Sequence, residues 1–425
     1  MPRVTSPSLT CLGVTRALPG KAASPALAGM APAARGLLAA LALAAALASC
    51  ATVQVSGTPS QPDAVASDPA RAAHWHFDAG NRPPAERDGY RPPVKLAVLL
   101  PLSGALSTAA APVRDGLLAG YYGEQRRRPE LVFYDTTGTP AGAVAAYAKA
   151  VSEGVDQVLG PLGRDEVAAV FRDAQVTVPV IALNRGVATP PANNASFSLA
   201  PEDEGIAAAE YLLSRKARRV LVLSNGDDGA RRSVNAFRER LQARGGSIVD
   251  TIAVVGDKPA DLTTAFLASA QKEGGIDAVF FAVKSAQARV VAPQLYAAGL
   301  GGKPRVATSQ LASAGTKPEQ NIGLDGIAFP TESWTAGGMR VLPPAAGVGA
   351  QLPTARGPAA KLFAFGYDAW QLTAYLEHLA NSGSASLQGA TGVLSIDPTG
   401  NVLRLPAWST YSGGVMVPLT TGSGG

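Results

Sequence analysis

The chain has 425 residues, 47% of them hydrophobic and 16% charged, a balance that excludes a disordered polymer. Of its formal charge of +5, four charges sit in the first 49 residues, where Arg3, Arg16, Lys21 and Arg35 meet no acidic residue; the 37 basic residues less these four leave 33 against 32 acidic ones, which gives no bulk-charge case for a nucleic-acid partner. Cys11 and Cys50 are the two cysteines, so disulfides, thiol catalysis and a Cys-ligated zinc are excluded from everything after residue 50.

Secretory leaders combine a basic start, an apolar centre of about 7–15 residues and small residues at the cut. Arg35, the Gly/Leu/Ala run 36–46 and Leu47-Ala48-Ser49-Cys50 fall in that order. The run is shorter than the about 20 residues a bilayer span needs. The pattern predicts a signal peptide over 1–49, with translation from Met30, and a lipoprotein processing site whose thiol, Cys50, carries lipid. Several acyl chains on one cysteine hold a protein firmly, at about 0.8 kcal/mol per buried methylene.

Residues 50–93 read as a lipidated cysteine and a flexible tether, rich in Pro, Ala, Ser, Asp and Gly and without apolar period. Fully extended, such a tether reaches about 140 Å. His74-Trp75-His76 lies inside it; with no third ligand nearby, an exposed or locally packed aromatic outweighs a metal site.

From residue 94 strands and amphipathic helices alternate. The run 95–102 is almost wholly apolar, as a parallel strand buried on both faces must be. A helix over 112–122 follows, then strand 130–135, helix 141–153, strand 156–159, helix 164–174 and strand 178–183. The second series runs through helix 202–214, strand 219–224, helix 230–243, strand 248–254, helix 262–272, strand 278–282, helix 286–298 and strand 305–308. A long helix over 359–379 comes next. Two strand-like runs then flank the turn Asp397-Pro398-Thr399-Gly400 within 391–411.

Two βα series predict an α/β fold, two-lobed, with two doubly wound parallel sheets joined by a hinge. The folded region is 94–420. The first lobe takes 94–199 with 328–388, and the second takes 200–327 with 389–420. Crossings are expected near Leu199, Ile327 and Gly389. Ligands in such sheets bind outside the carboxyl ends of the strands, so two facing lobes make a cleft.

The alternation resembles a type I periplasmic binding protein. Leu99-Leu100-Pro101-Leu102-Ser103-Gly104, the turn Gly160-Pro161-Leu162 with Arg164 and Val167, the helix start Ala200-Pro201-Glu202-Asp203-Glu204, and Gly366-Tyr367-Asp368-Ala369 narrow the match. The run Pro179-Val180-Ile181-Ala182-Leu183-Asn184 and the closing segment 392–411 sharpen it. Together with the lipid-site pattern, these resemble the penicillin-binding protein activator family of outer-membrane lipoproteins, the LppC/LpoA-like group. The resemblance covers roughly 94–419. It implies a non-enzymatic lipoprotein that binds and activates a class A penicillin-binding protein (a peptidoglycan synthase) in cell-wall synthesis. Well-known members carry a helical-repeat domain ahead of this region, where this sequence has the tether. Ala51 in place of Asp after the lipidated cysteine implies, by resemblance to other bacterial lipoproteins, the outer membrane, on its periplasmic face.

The candidate cleft residues are Ser103, Gly160, Leu162, Gly163, Arg164, Asn184, Arg185, Asn225 and Gln310. The strand-to-helix turn at Gly160–Arg164 can aim free N–H groups at a carboxylate. Arg164 and Arg185 stand where amino-acid-binding relatives use hydroxyls. Two readings stay open: these groups bind an anionic glycan or peptide group, or they close the lobes on each other. Pro201 suits a first helical turn and Glu202, Asp203 and Glu204 suit the helix dipole. Asp227-Asp228 reads as a solvated turn or helix start. No HExxH, GxSxG or P-loop pattern occurs, which predicts no cofactor, no metal and no catalytic residues. The alternative function is a periplasmic solute-binding receptor for an amino acid, peptide or cell-wall fragment.

Overall fold

Leu96 to Leu100 are all fully buried, as a central parallel strand with helices on both faces requires. The structure, a computed structural model, describes residues 68–419 apart from 78–79, 81, 187–188, 313–315 and 338. The leader and Cys50 lie outside the described residues.

The described residues open with helix α1 (Pro69–His74) and then strand β1 (Lys95–Leu100), helix α2 (Ser107–Gly123), β2 (Glu130–Asp135), α3 (Pro140–Ser152), β3 (Gln157–Leu159), α4 (Arg164–Asp173), β4 (Val180–Ala182) and β5 (Ala195–Ser196). These strands form one parallel sheet in the order β2-β1-β3-β4-β5. The second series is α5 (Pro201–Ser214), β6 (Arg219–Ser224), α6 (Asp228–Ala243), β7 (Ser247–Ala253), α7 (Thr263–Ala270), β8 (Ala278–Ala282), α8 (Ser285–Val291), α9 (Gln294–Ala297) and β9 (Arg305–Ala307). Its sheet, again parallel, is β7-β6-β8-β9. Both orders place the first strand inside and its successor at the edge, as in doubly wound sheets. The fold is therefore the expected two-lobed α/β architecture.

The remaining elements are β10 (Phe329–Thr331), α10 (Ala345–Gln351), α11 (Ala359–Asn381), β11 (Leu387–Gln388), β12 (Val393–Ile396), β13 (Val402–Leu405), β14 (Ala407–Ser412) and β15 (Val415–Pro418). They move two of the expected crossings. Ile327 and Phe329 are fully buried in the second lobe's core, so the chain leaves that lobe after Thr331 rather than near Ile327. Leu394, Ile396 and Val402 pack in the first lobe's core, whereas Trp408 and Tyr411 pack in the second's. The last crossing therefore falls at Pro406, not Gly389, and hairpin β12–β13 belongs with the first lobe. Pro406 has no N–H to continue the ladder, so β14 departs to pair with β10 and β15.

The segment read as a tether is folded from Asp68 on. Asp68 caps α1 by accepting the Ala70 N–H at 3.0 Å. Arg71 donates to the carbonyls of Ala380 and Ile396 at 2.8 and 2.7 Å. Trp75 is buried in the first lobe's core. Isolated anchors of this kind leave no period in the sequence. His74 donates from Nε2 to the Asn194 carbonyl, 2.9 Å away, because a carbonyl oxygen only accepts.

Helices α2 and α11 cross backbone to backbone. A Cβ at Gly116 would lie 1.9 Å from the Phe363 carbonyl oxygen, and one at Gly366 1.9 Å from that of Val113. Only glycine permits this approach from both sides.

Candidate functional site

The turns that leave the carboxyl ends of the two sheets hold the nine candidate residues, and most of their polar groups are engaged within the chain. The Ser103 hydroxyl donates to Asp135 Oδ2 at 2.6 Å, while the N–H groups of Leu102 and Ser103 donate to Oδ1. These bonds, the Ser103 hydroxyl's first, hold the Asp135 carboxyl below its ordinary range.

Gly160, Leu162 and Gly163 turn β3 into α4. Gly160 has φ +100°, and a Cβ there would stand 2.1 Å from the Leu99 carbonyl oxygen, so the turn requires glycine. The Gly163 N–H is a donor of the kind that holds an anion at a helix start. It donates instead to Glu166 Oε2 at 2.6 Å. Glu166 is 1% exposed, and its burial pushes its pKa up against the Thr136 and Gly163 donors. Arg164 is exposed. Asn184 donates from Nδ2 to the Leu162 carbonyl at 3.0 Å and accepts the Arg185 N–H at 2.9 Å, tying the exits of β3 and β4 together.

In the second lobe, Asn225 Nδ2 donates to Asp227 Oδ2 at 3.0 Å and to Gln287 Oε1 at 3.4 Å. Asp227 caps α6, accepting the Ala230 N–H at 2.8 Å. Gln310 is exposed in the 3-10 turn Ser309–Leu311. Hydrogen bonds thus gather the candidates into local groups: Ser103 about Asp135, the 160–163 turn with Asn184, and Asn225 with Asp227. Arg185 differs, pairing with Asp203 Oδ1 of α5, in the second lobe, at 2.9 Å.

Other residues join the lobes, and sequence reasoning gave them no such role. Glu204, on α5, is 6% exposed. It accepts the Ser309 N–H at 2.9 Å, the Ser309 hydroxyl at 2.6 Å and the Lys361 ammonium of α11 at 2.9 Å. Burial favours its neutral form, but Lys361 and the two Ser309 donors outweigh that and hold the carboxyl below its ordinary range. Asp203 goes the other way: burial raises it against the pull of Arg185 and Arg404. Glu202 pairs with Arg232 at 2.8 Å. All three acids of this helix start therefore have cationic partners in addition to the helix dipole.

Asp368, fully buried on α11, accepts the N–H groups of Ala390 and Thr391 and the Thr391 hydroxyl, the last two at 2.7 and 2.6 Å. Burial pushes it up to about 7 against those donors. Arg404, 8% exposed, donates to the Thr391 carbonyl at 3.3 Å and acts on Asp203, Glu204 and Asp368. The Gly-Tyr-Asp-Ala motif thus supplies a close helix crossing at Gly366 and an anchor for residues 390–391 at Asp368. The hinge side of the cleft is a charge cluster of Asp203, Glu204 and Asp368 with Arg185, Lys361 and Arg404. Beside it a cavity of about 690 Å³ opens between the lobes, walled among others by Ser309, Thr331, Glu332, Arg356 and Lys361. Among the described residues no group of three or more His, Cys, Asp or Glu is placed to hold a metal, and no helix is long and apolar enough to cross a membrane.

Comparison with known proteins follows this architecture. The family model of the LppC putative lipoprotein matches residues 90–414. The penicillin-binding protein activator LpoA of Mannheimia succiniciproducens is 28% identical over 335 residues, 76% of this chain and 55% of that protein. That of Yersinia pseudotuberculosis is 26% identical, over 68% of this chain and 50% of its own. The chain spans about half the length of these curated relatives. The solved C-domain of LpoA (YraM) from Haemophilus influenzae, described as a regulator of PBP1A, shares the fold with a TM-score of 0.66 at 22% identity, covering 77% of this chain and all of that one. A putative branched-chain amino acid ABC transporter from Chromobacterium violaceum has a TM-score of 0.59 at 30% identity, over 75% and 100%. With its family model matched across nearly all of the folded region, this chain belongs to the LppC putative lipoprotein family.

Proposed function

We propose that this chain is a non-enzymatic lipoprotein that binds a class A peptidoglycan synthase and favours its active state. Cys50 carries the lipid and holds the chain at the periplasmic face of the outer membrane. The observation that carries the reading is the family match, joined to the likeness to curated relatives named penicillin-binding protein activator. The engaged cleft supports it. The helix start that would hold a ligand carboxylate is filled by Glu166, and Arg185 and Lys361 are spent on Asp203 and Glu204. Of the two readings of these residues, closing the lobes on each other is supported by Arg185, while Ser103, Gly163, Asn184 and Asn225 are engaged within their own lobes. A regulator of this kind acts by binding one state of its partner more tightly than another.

Geometry limits how it reaches that partner. The described residues begin at Asp68, and the stretch of chain from Cys50 to that point can span at most about 60 Å. The partner must come to the lipid-anchored domain over most of the remaining distance. Tagged mature protein, crosslinked in intact envelopes and recovered, should bring down a class A synthase. Recovery without any such synthase would sink the reading.

One observation favours a second reading, a solute receptor: the cavity of about 690 Å³ between the lobes is within the range of small-ligand sites. A receptor gains melting temperature from its ligand. A panel of amino acids, peptides and cell-wall fragments that leaves the melting temperature unchanged would exclude it.

A further inference from the structure

The cavity of about 690 Å³ between the lobes is walled by none of the nine candidate residues, so it is a site apart from the turns at the strand ends. The second lobe supplies Ser309, Ala312, Pro330 and Met416, and the first supplies α10 and the start of α11. The wall is open to a ligand: Ala312, Ala346 and Ala350 are exposed, and Met416 is 44% exposed. Six alanines, Pro330 and Met416 make most of it apolar. An apolar body therefore gains by leaving water here.

The hydroxyls of the wall are engaged. Ser309 donates to Glu204 at 2.6 Å and accepts from Lys361 at 3.0 Å. Thr331 shares a hydrogen bond with Ser409 at 2.9 Å. Thr335 donates to the Glu332 carbonyl and to Glu332 Oε2, each at 3.1 Å. Lys361 is held by Glu204 at 2.9 Å. Two charged groups keep open positions. Arg356 is exposed, and among the described residues no group pairs with its guanidinium. Glu332 Oε1 lies 4.0 Å from Lys361 Nζ, beyond hydrogen-bond reach. That oxygen keeps accessible surface, unlike the closed-off polar atoms of the interior, on a side chain that is 12% exposed.

Counted with Glu204, the charges balance, Arg356 and Lys361 against Glu204 and Glu332. An anionic ligand satisfies Arg356 and leaves Glu332 bare, and a cationic one does the reverse. A ligand with a carboxylate at one end and an ammonium at the other completes both and adds no net charge. A single amino acid leaves most of the volume empty, whereas a short peptide matches the size that such a cavity holds.

We propose, on the receptor reading of this cavity, that it binds a zwitterion of short-peptide size with an apolar middle, its carboxylate on the Arg356 guanidinium and its ammonium on Glu332 Oε1. Isothermal titration calorimetry on the mature protein tests it, with trialanine as the probe and two capped forms, N-acetyltrialanine and trialanine amide, as controls. Saturable binding of trialanine is expected. Each cap should weaken it about fivefold or more, the worth of one ion pair at a partly exposed site. Arg356→Met removes a cation that has no partner in the protein. It should weaken trialanine by the same factor and leave the amide, which has no carboxylate to lose, unchanged. Glu332→Gln keeps an acceptor for Thr335 and should weaken trialanine likewise, with the N-acetyl form unchanged. No binding of trialanine, capped forms bound as tightly as the free one, or variants that weaken free and capped forms alike would overturn the proposal. A melting-temperature gain from another member of the receptor panel, without trialanine binding, would overturn it too and leave the receptor reading standing.

Discussion

Replacing Lys361 by Met tests the contact between the lobes at its most buried point. The substitution keeps the length of the side chain and removes the ammonium that lies 2.9 Å from Glu204. Glu204 keeps its two Ser309 donors but loses its cation, in a place where only 6% of the residue is exposed. Breaking a buried pair by removing one partner costs about 3–5 kcal/mol. Lys361 is itself 27% exposed, so solvent screening puts the expected cost at the lower end, about 3 kcal/mol. An unfolding entropy of about 2.1 cal/mol/K per residue over roughly 350 folded residues makes that a fall in melting temperature of about 4 °C.

The pH dependence separates this account from simple loss of packing. The Glu204 pKa is held below its unfolded value of 4.5. Its ion pair therefore stabilises the protein above that value, and the gain is lost as pH falls through the folded pKa. Without Lys361, burial dominates and the folded pKa rises above 4.5, so protonation stabilises the variant relative to the unfolded chain. The cost of Lys361→Met should be full at about pH 7 and shrink toward about pH 4. Glu204→Gln in the same chain should restore at least half of the lost stability at neutral pH. Thermal melts at both pH values measure all three. A melting temperature within about 1 °C of wild type at neutral pH, or a cost that does not change with pH, would refute the reasoning.

Asp368 should give a pH slope of the opposite sign. Its carboxyl is raised from 3.8 to about 7, so the folded state binds the proton more tightly than the unfolded one, and stability falls as pH rises through that window. Between about pH 5 and pH 7, Asp368→Asn should be spared a loss of about 2–3 kcal/mol that the wild type shows, as read by chemical denaturation. Gly366→Ala places a methyl group where the Val113 carbonyl stands 1.9 Å away. It must part the two helices and should cost about 1–3 kcal/mol or more in the same assay. Arg185→Ala with Lys361→Ala removes two cross-lobe ion pairs, and the radius of gyration from small-angle scattering should increase; an unchanged radius would count against lobes held by these pairs. Cys50→Ser should move the protein from the membrane to the soluble fraction.

Much of the fold was legible because burial on both faces leaves continuous apolar runs. Residues 95–102, 219–224 and 278–282 announce β1, β6 and β8 with ends that differ by two residues at most. The misreadings have local causes. Pro112 suggested a helix start, yet it sits inside α2, which begins at Ser107. Pro293 splits one expected helix into α8 and α9. Pro406 divides the last strand-like run between two sheets. The turns of the candidate site were also legible, since Gly160, Asn184 and Asp227 carry the marks of turn chemistry. Their partners were not. Glu166 occupies its own helix start, and Lys361 meets Glu204 across 157 residues. No spacing in the sequence encodes that pair, because two lobes must first be folded and closed to bring α5 beside α11. Residues 68–93 escaped for another reason: Arg71, Trp75 and Tyr90 dock singly, without the repeat that marks a helix or strand.

The most direct test of the central claim is the rate of glycan polymerisation by a purified class A synthase from the same cell, measured with and without the soluble chain from Asp68 onward. A dose-dependent rise in rate that saturates with the binding isotherm is expected. No binding and an unchanged rate with every class A synthase of that cell would contradict the account.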